Sequence, residues 1–383
     1  MSIEIDYTYG TLESTFLETL GDSTGSATLD LTSGNVFSYT PTADTTFTFS
    51  NPPVSGTAYS FTLKLTGANV TTGFDIANAS YDSVSFSVAS QVPVPASLYF
   101  RSDGLKLYVL DGSTNGDVYQ YSLSTAWDVS TASYDSINQS SLAESSPAGL
   151  FFKPDGTKMY ITGFNSDAIQ EINLSTAWDI SNASVYQSFS ILSQTSTPTG
   201  IHFNYNGTLV FITGTGEDSV FKYSLSTAWD ISTASLSQTL DISAQESNPQ
   251  DIFLSSNGNK LFVTGQNGVV IDEYYLSTAY DLSTASHTTS FSTSSQETNL
   301  RAAFFKNDGT KMYVSGAAND TIYQYSTTGS GGAAATFTYP SSVKWHDGQV
   351  PASPAIGSSN VLSFSTSDGG TTWYGYSIGE SLS

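Results

Sequence analysis

The chain contains no cysteine, so neither a disulfide nor a thiolate metal site can hold its fold together. Basic residues are scarce: 11 Lys and Arg stand against 34 Asp and Glu, a formal net charge of −23 over 383 residues. A surface of that sign repels nucleic acid and anionic membranes, excludes them as partners and suits a salty medium. No apolar run is long enough to cross a bilayer, which excludes membrane insertion by a helix. The opening Met1-Ser-Ile-Glu-Ile-Asp-Tyr lacks the basic and apolar segments of an export signal, so synthesis and folding in a cytoplasm are expected. Lys, Glu and Leu are sparse, which disfavours helices. What abounds is Ser, Thr, Gly, Tyr and Phe, the composition of short strands and turns, and the fold class expected is all-β.

The dominant pattern is the hexapeptide L-S-T-A-W-D, which begins at Leu123 and returns at Leu174, at Leu225 and, with Tyr for Trp, at Leu276. Its aromatic falls at Trp127, Trp178, Trp229 and Tyr280, a fixed step of 51 residues. A period of that length marks a repeat architecture in which one module cannot bury its own apolar face. Each unit also carries a hairpin centred on Asp103-Gly104, Asp155-Gly156, Asn206-Gly207, Asn257-Gly258 or Asp308-Gly309. Asp-Gly and Asn-Gly suit the positive φ angles of tight hairpin turns. A third strand, the S-T-A-W-D turn and a fourth strand follow, which makes one blade of a β-propeller.

The first three strands occur five times, yet the fifth set ends near Ser326 without a fourth. The missing strand lies at the front, because Phe74-Asp-Ile-Ala-Asn-Ala-Ser matches Trp178-Asp-Ile-Ser-Asn-Ala-Ser and an orphan strand follows over residues 81–88. Pairing it with the last blade closes the ring and removes an open edge. The expectation is a five-bladed propeller of four-stranded blades with velcro closure, over residues 74–328. Because the ring is entered and left at nearly one place, residues 27–73 and 329–383 are expected to form one discontinuous, antiparallel, β-sandwich-like mounting domain into which the propeller is inserted. Residues 1–26 read as an arm: Ile3, Ile5, Tyr7 and Tyr9 alternate with polar residues, and residues 11–20 suit a short helix or a strand.

The flanking stretches Ser50-Asn-Pro-Pro-Val-Ser-Gly-Thr-Ala-Tyr-Ser-Phe-Thr-Leu-Lys-Leu-Thr-Gly, Thr338-Tyr-Pro-Ser-Ser-Val-Lys-Trp and Thr366-Ser-Asp-Gly-Gly-Thr-Thr-Trp-Tyr-Gly resemble a terminal module of virion proteins from tailed phages of marine bacteria. The family's Pro-Gly-Gly after Lys-Trp is His346-Asp-Gly here, and its two halves are commonly closer together. The blades, with Asp-Gly-Thr-Lys-Met-Tyr-Val at residues 308–314, resemble bacterial surface and lactonase-type propeller repeats. The flank resemblance implies a fibre, spike or decoration protein exposed on the particle. Its partners would be other virion proteins and a host-surface polysaccharide or outer-membrane protein. A homotrimer is common among such appendages, and the arm at residues 3–9 can knit subunits. A purely architectural capsid or tail protein is the alternative, and a polysaccharide-degrading enzyme comes third.

Catalysis needs converging titratable groups. His202, His287 and His346 occupy unlike positions and read as structural or surface residues. Of the inner strands expected around the axis, only the fourth carries an acid, Asp251, so a pair of carboxylates for glycoside hydrolysis is missing and no enzyme activity is expected. The Trp set suits packing on the blade edge, with Ser124, Ser175, Ser226 and Ser277 as turn caps, and alternatively stacking of a sugar. Asp117, Asp167, Asp218 and Asp320 precede third strands and offer oxygen ligands for Ca²⁺ or acceptors for loop N–H groups; Val269 holds the matching place in the fourth blade. The loops between second and third strands vary between blades, as do those entering the inner strands, including Glu144, Thr195, Glu246 and Glu297. Both sets project from one face of the ring, and ligand contacts are expected there from Asn115, Asn165, Asp167, Thr215, Glu217, Asp218, Gln266, Asn267, Asn319 and Asp320.

Overall fold

A computed structural model describes residues 17–19, 26–40, 45–66, 73–113, 116–140, 142–327, 337–346, 348–354 and 358–382. The arm at residues 3–9 and Asn115 lie outside the described residues. The chain divides into two compact units: Gly73–Gly329, and Met1–Thr72 with Ser330–Ser383.

In the first unit the Asp-Gly hairpins set the blade. The loop is longer than a two-residue turn: Arg101 N–H donates to Lys106 O at 3.0 Å and Gly104 N–H to Arg101 O at 2.8 Å. Only the glycine is left-handed, at φ 72° for Gly104 and 67–74° for its four counterparts. The preceding residue serves through its side chain instead. Asp103 Oδ1 accepts Leu105 N–H at 3.0 Å, and Asp155, Asn206, Asn257 and Asp308 do the same two residues ahead.

The blades are four-stranded antiparallel sheets. The first comprises Pro95–Phe100, Lys106–Asp111, Val118–Leu123 and Ala132–Gln139. The next three begin with the inner strands Pro147–Phe152, Pro198–Phe203 and Pro249–Leu254. The fifth is built from Leu300–Phe305, Lys311–Gly316 and Thr321–Ser326, and its outermost strand is Ser80–Ser87. This closing strand pairs antiparallel with Thr321–Ser326, from Ser326 opposite Ser80 to Thr321 opposite Ser87. It also repeats first-blade chemistry: Asp82 binds Lys311 Nζ at 2.6 Å and Ser326 Oγ at 2.6 Å, as Asp135 binds Lys106 Nζ at 2.6 Å and Ser122 Oγ at 2.6 Å. The first inner strand packs beside the fifth as the consecutive inner strands pack beside one another, so the ring is closed.

The axis is filled. One ring from each inner strand, Tyr99, Phe151, His202, Phe253 and Phe304, meets its two neighbours at centroid distances of 5.3, 5.1, 4.8, 5.6 and 5.4 Å going round, every pair edge-on. Edge-to-face contact is the arrangement that ring quadrupoles favour. Burial among these rings pushes the His202 pKa down to about 3, so its imidazole is neutral.

The second unit corrects the antiparallel expectation. Its core joins a six-stranded and a three-stranded sheet. Leu17–Thr19, Val36–Tyr39 and Tyr59–Thr66 lie in the larger sheet, and Ser26–Asp30 and Thr45–Ser50 in the smaller. The chain thus changes sheet at every connection. Strands two apart return in the same direction, and their pairings are parallel. Leu17–Thr19 is a strand, not a helix. The C-terminal segment completes both sheets: Ser359–Thr366 pairs antiparallel with Tyr59–Thr66, and Phe337–Thr338 pairs with Thr45–Ser50.

Candidate functional site

The Trp turn and the Asp-Gly turn are one structure. Trp127, Trp178, Trp229, Tyr280 and Phe74 all have positive φ, between 60° and 67°. Each ring lies flat on the left-handed glycine of its own blade; a Cβ on Gly104 would sit 2.5 Å from the Trp127 ring. The three Trp rings stack on the last aromatic of their inner strands, at 5.5 Å for Phe100–Trp127, 5.7 Å for Phe152–Trp178 and 5.2 Å for Phe203–Trp229. Each Trp backbone carbonyl then accepts the hydroxyl of the preceding blade: Tyr108 Oη donates to Trp178 O at 2.6 Å, Tyr160 Oη to Trp229 O at 2.8 Å and Tyr313 Oη to Trp127 O at 2.6 Å. The Trp set therefore locks blade to blade. The caps are not the serines but the Asp that follows each Trp: Asp128 Oδ1 accepts Ser130 N–H at 3.0 Å and Ser130 Oγ at 2.6 Å, and Asp230 and Asp281 repeat both bonds. A carboxylate that caps a backbone N–H holds the chain more firmly than a hydroxyl does.

Asp251 is consumed in the same way. It is buried, and its carboxylate accepts the N–H groups of Ile252 and Ala303, tying the fourth inner strand to the fifth. Burial raises its pKa well above the ordinary carboxylate range, against those two bonds. Its Oδ1 is engaged by Ile252 N–H at 2.9 Å.

On the opposite face, the residues entering the inner strands act as clamps. Glu144 Oε1 accepts Ser146 N–H at 2.9 Å and Asn165 N–H at 3.1 Å, while Oε2 accepts Ser166 N–H at 3.0 Å and Ser166 Oγ at 2.5 Å. Glu246 holds Asn248 and Asn267 N–H at 2.6 and 3.2 Å, and Glu297 holds Asn299 and Ala318 N–H at 2.7 and 3.1 Å. In the third blade Thr195 Oγ1 accepts Thr197 N–H, and Thr197 Oγ1 accepts Gly216 N–H at 2.7 Å. The second strands of these four blades end in Gly163, Gly214, Gly265 and Gly316, where a Cβ would collide with the clamp. Burial is the first cause of a raised Glu246 pKa, opposed by its two backbone N–H bonds and reinforced by Asp272 and Asp218.

The clamps fix the loops that carry the candidate residues. Asp167, Asp218 and Asp320 adopt left-handed φ of 48°, 47° and 45°, and Val269 follows at 54°. Asp tolerates that conformation, so these three are turn residues first. Burial, then Glu297 and Asp111, raise the Asp320 pKa. Gln266 is committed to an amide relay, accepting Asn248 Nδ2 at 2.9 Å and donating Nε2 to Asn299 Oδ1 at 2.6 Å. Thr215 N–H is held by Thr197 O at 3.1 Å, and its residue is half-buried. Asn267 Nδ2 donates to Ser247 Oγ and Asn319 Nδ2 to Gln296 O. Asn165, Glu217, Asn267 and Asn319 are exposed, one on each of four loops. Among the described residues no group of three or more His, Cys, Asp or Glu side chains can hold a metal ion, and no helix is long and apolar enough to cross a membrane. Grooves of about 310 and 280 Å³ lie in the terminal unit, beside Trp345, His346 and Tyr376 and beside Phe49, Pro52 and Trp373; neither includes a loop-face residue.

The family model described as "Lactonase, 7-bladed beta-propeller" matches residues 64–346. The chain belongs to this lactonase propeller family. It departs from the family's description in blade number, with five blades where that description has seven. A candidate 6-phosphogluconolactonase from Bacteroides uniformis is 12% identical, with 70% of this chain and 77% of that chain covered at a TM-score of 0.40. The glutaminyl cyclase of Myxococcus xanthus gives 11%, 64%, 95% and 0.46, and the periplasmic gluconolactonase of Pseudomonas aeruginosa gives 12%, 63%, 84% and 0.41, in the same order. A search of curated proteins returns no significant match.

The residue missed by sequence reasoning is Arg301, second in the fifth inner strand. Its Nη1 donates to Gln250 Oε1 at 2.7 Å, and its Nε is buried without a partner. The signal was available: an arginine stands where the first three inner strands place Ala96, Ala148 and Thr199.

Proposed function

We propose that this lactonase-family propeller is a binding module without catalysis, mounted on a phage particle as a fibre, spike or decoration, and that its loop face meets a host-surface glycan or protein. The observation that carries the binding role is the contrast between faces. One face repeats the same aromatic lock in each blade. The other holds non-repeating, exposed polar tips, Asn165, Glu217, Asn267 and Asn319, on loops made rigid by buried clamps. Loops that vary on a fixed scaffold are where recognition sits, and a pre-ordered rim loses little entropy on binding. The virion role rests on the resemblance of the flanks.

The test is binding of labelled protein to intact candidate host cells, with soluble polysaccharides as competitors and a variant in which loops 164–166 and 215–217 are exchanged. Saturable binding that the competitors and the exchange abolish is the expected result. No binding to a permissive host by folded protein leaves an architectural role. Mass spectrometry of purified particles tests the virion assignment separately. Family membership favours lactone hydrolysis as a second reading; turnover of gluconolactone that depends on a loop-face side chain would establish it.

A further inference from the structure

We infer that Arg301 is an anion-recognition site on the loop face, taking a carboxylate or sulfate carried on a saccharide; the saccharide rests on the function proposed above, the anion does not. Nine basic residues belong to the propeller unit: Arg101, Lys106, Lys153, Lys158, Lys222, Lys260, Arg301, Lys306 and Lys311. Seven make ion pairs with carboxylates. Lys222 donates to Gln238 Oε1 and feels Asp281. Among the described residues Arg301 has no carboxylate partner. Burial alone lowers its pKa, with no opposing carboxylate.

Arg301 is half-buried with its Nε out of water, and a guanidinium partly withdrawn from water without a counter-ion is costly, so proteins ordinarily pair such a group or use it. This one is also held in place. Gln250 Nε2 donates to Asn248 Oδ1 at 2.7 Å, which turns Gln250 Oε1 toward Arg301; Asn248 donates in turn to Gln266, and Gln266 to Asn299. The amides satisfy one another and leave the remaining guanidinium donors for a ligand. At the matching position of the next blade stands Ala96, whose side chain is too short to contact them. The planar fork of Arg matches a carboxylate or sulfate with two parallel hydrogen bonds.

The experiment titrates full-length wild type and Arg301→Gln with sodium glucuronate, glucose 6-sulfate and glucose by calorimetry, and follows the Arg301 Nε–H resonance in ¹⁵N-labelled protein. Glucuronate or the sulfate, but not glucose, is expected to bind one-to-one and shift that resonance, and Arg301→Gln to weaken binding about tenfold or more. Arg301→Lys keeps the charge and loses the fork, and is expected to fall between the two. Equal affinity in wild type and Arg301→Gln, or no anion binding by folded wild type, overturns the site. Cell binding by wild-type protein that binds no anion removes this inference and leaves the proposed function; anion binding that Arg301→Gln abolishes, without cell binding, does the reverse.

Discussion

Replacing His202 by Phe should relieve the propeller of part of its acid sensitivity. The imidazole sits between Phe151 at 5.1 Å and Phe253 at 4.8 Å, and the cause of its depressed pKa is burial. Folded, it stays neutral down to about pH 3; unfolded, it takes up a proton near its ordinary value of 6.5. A group depressed in this way favours the unfolded chain as pH falls, so the stability it permits is complete above pH 6.5 and is lost progressively between 6.5 and 3. The loss is about 1.4 kcal/mol per pH unit, or about 2.7 kcal/mol by pH 4.5. In a unit of this size that is a shift of roughly 5–10 °C in Tm. Carboxylates also titrate in this range, so the quantity to measure is the difference between wild type and His202→Phe, by urea denaturation at pH 7.5, 6.5, 5.5 and 4.5. Phe is close in volume, completes a ring of five hydrocarbon-edged aromatics, and should change stability by less than about 1.5 kcal/mol at pH 7.5. The variant should gain on wild type steadily below pH 6.5. A difference that stays constant to pH 4.5 refutes the burial argument, as does a His202 ring that NMR shows protonated in the folded protein at pH 5.

Gly207→Ala should cost about 3 kcal/mol in denaturant melts, combining a left-handed residue at φ 72° with a Cβ driven into the Trp229 ring. Gly268→Ala, at φ 88° but with its nearest neighbour 3.7 Å away, should cost only about 1 kcal/mol, and equal losses would refute the lock. At Glu246 burial raises the pKa, so the carboxylate's adverse contribution is absent below its ordinary pKa of 4.5 and grows as pH rises through the folded value. Glu246→Gln should therefore match or exceed wild type in thermal stability at pH 8 and lose that advantage near pH 4. Glu246→Ala, which strands the N–H groups of Asn248 and Asn267, should cost about 2 kcal/mol or more at either pH.

What the sequence made legible follows from what repeats. The 51-residue step and the orphan strand at residues 81–88 specify five blades, because strand pairing is a local rule applied five times. The clamps escaped notice because Glu144, Glu246 and Glu297 lie in short loops that read as variable and polar; their burial depends on Gly163, Gly265 and Gly316 two loops away. Arg301 was overlooked for the same reason, since its environment is supplied by Gln250 on another blade, 51 residues earlier. The terminal unit misled in a different way. Alternating apolar runs between turns look alike whether the chain folds back beside itself or crosses to a second sheet, and the parallel pairings of Val36–Tyr39 with Tyr59–Thr66 and of Ser26–Asp30 with Thr45–Ser50 distinguish them.

The number five has a physical counterpart on the axis. Five inner strands bring Tyr99, Phe151, His202, Phe253 and Phe304 to centroid distances of 4.8–5.6 Å, which is the edge-to-face range, so the rings satisfy one another with no further side chain between them. A wider ring of seven blades would part these five positions and open the centre. In this chain the side chains that vary from blade to blade lie on the loop rim, with Arg301 at the start of an inner strand.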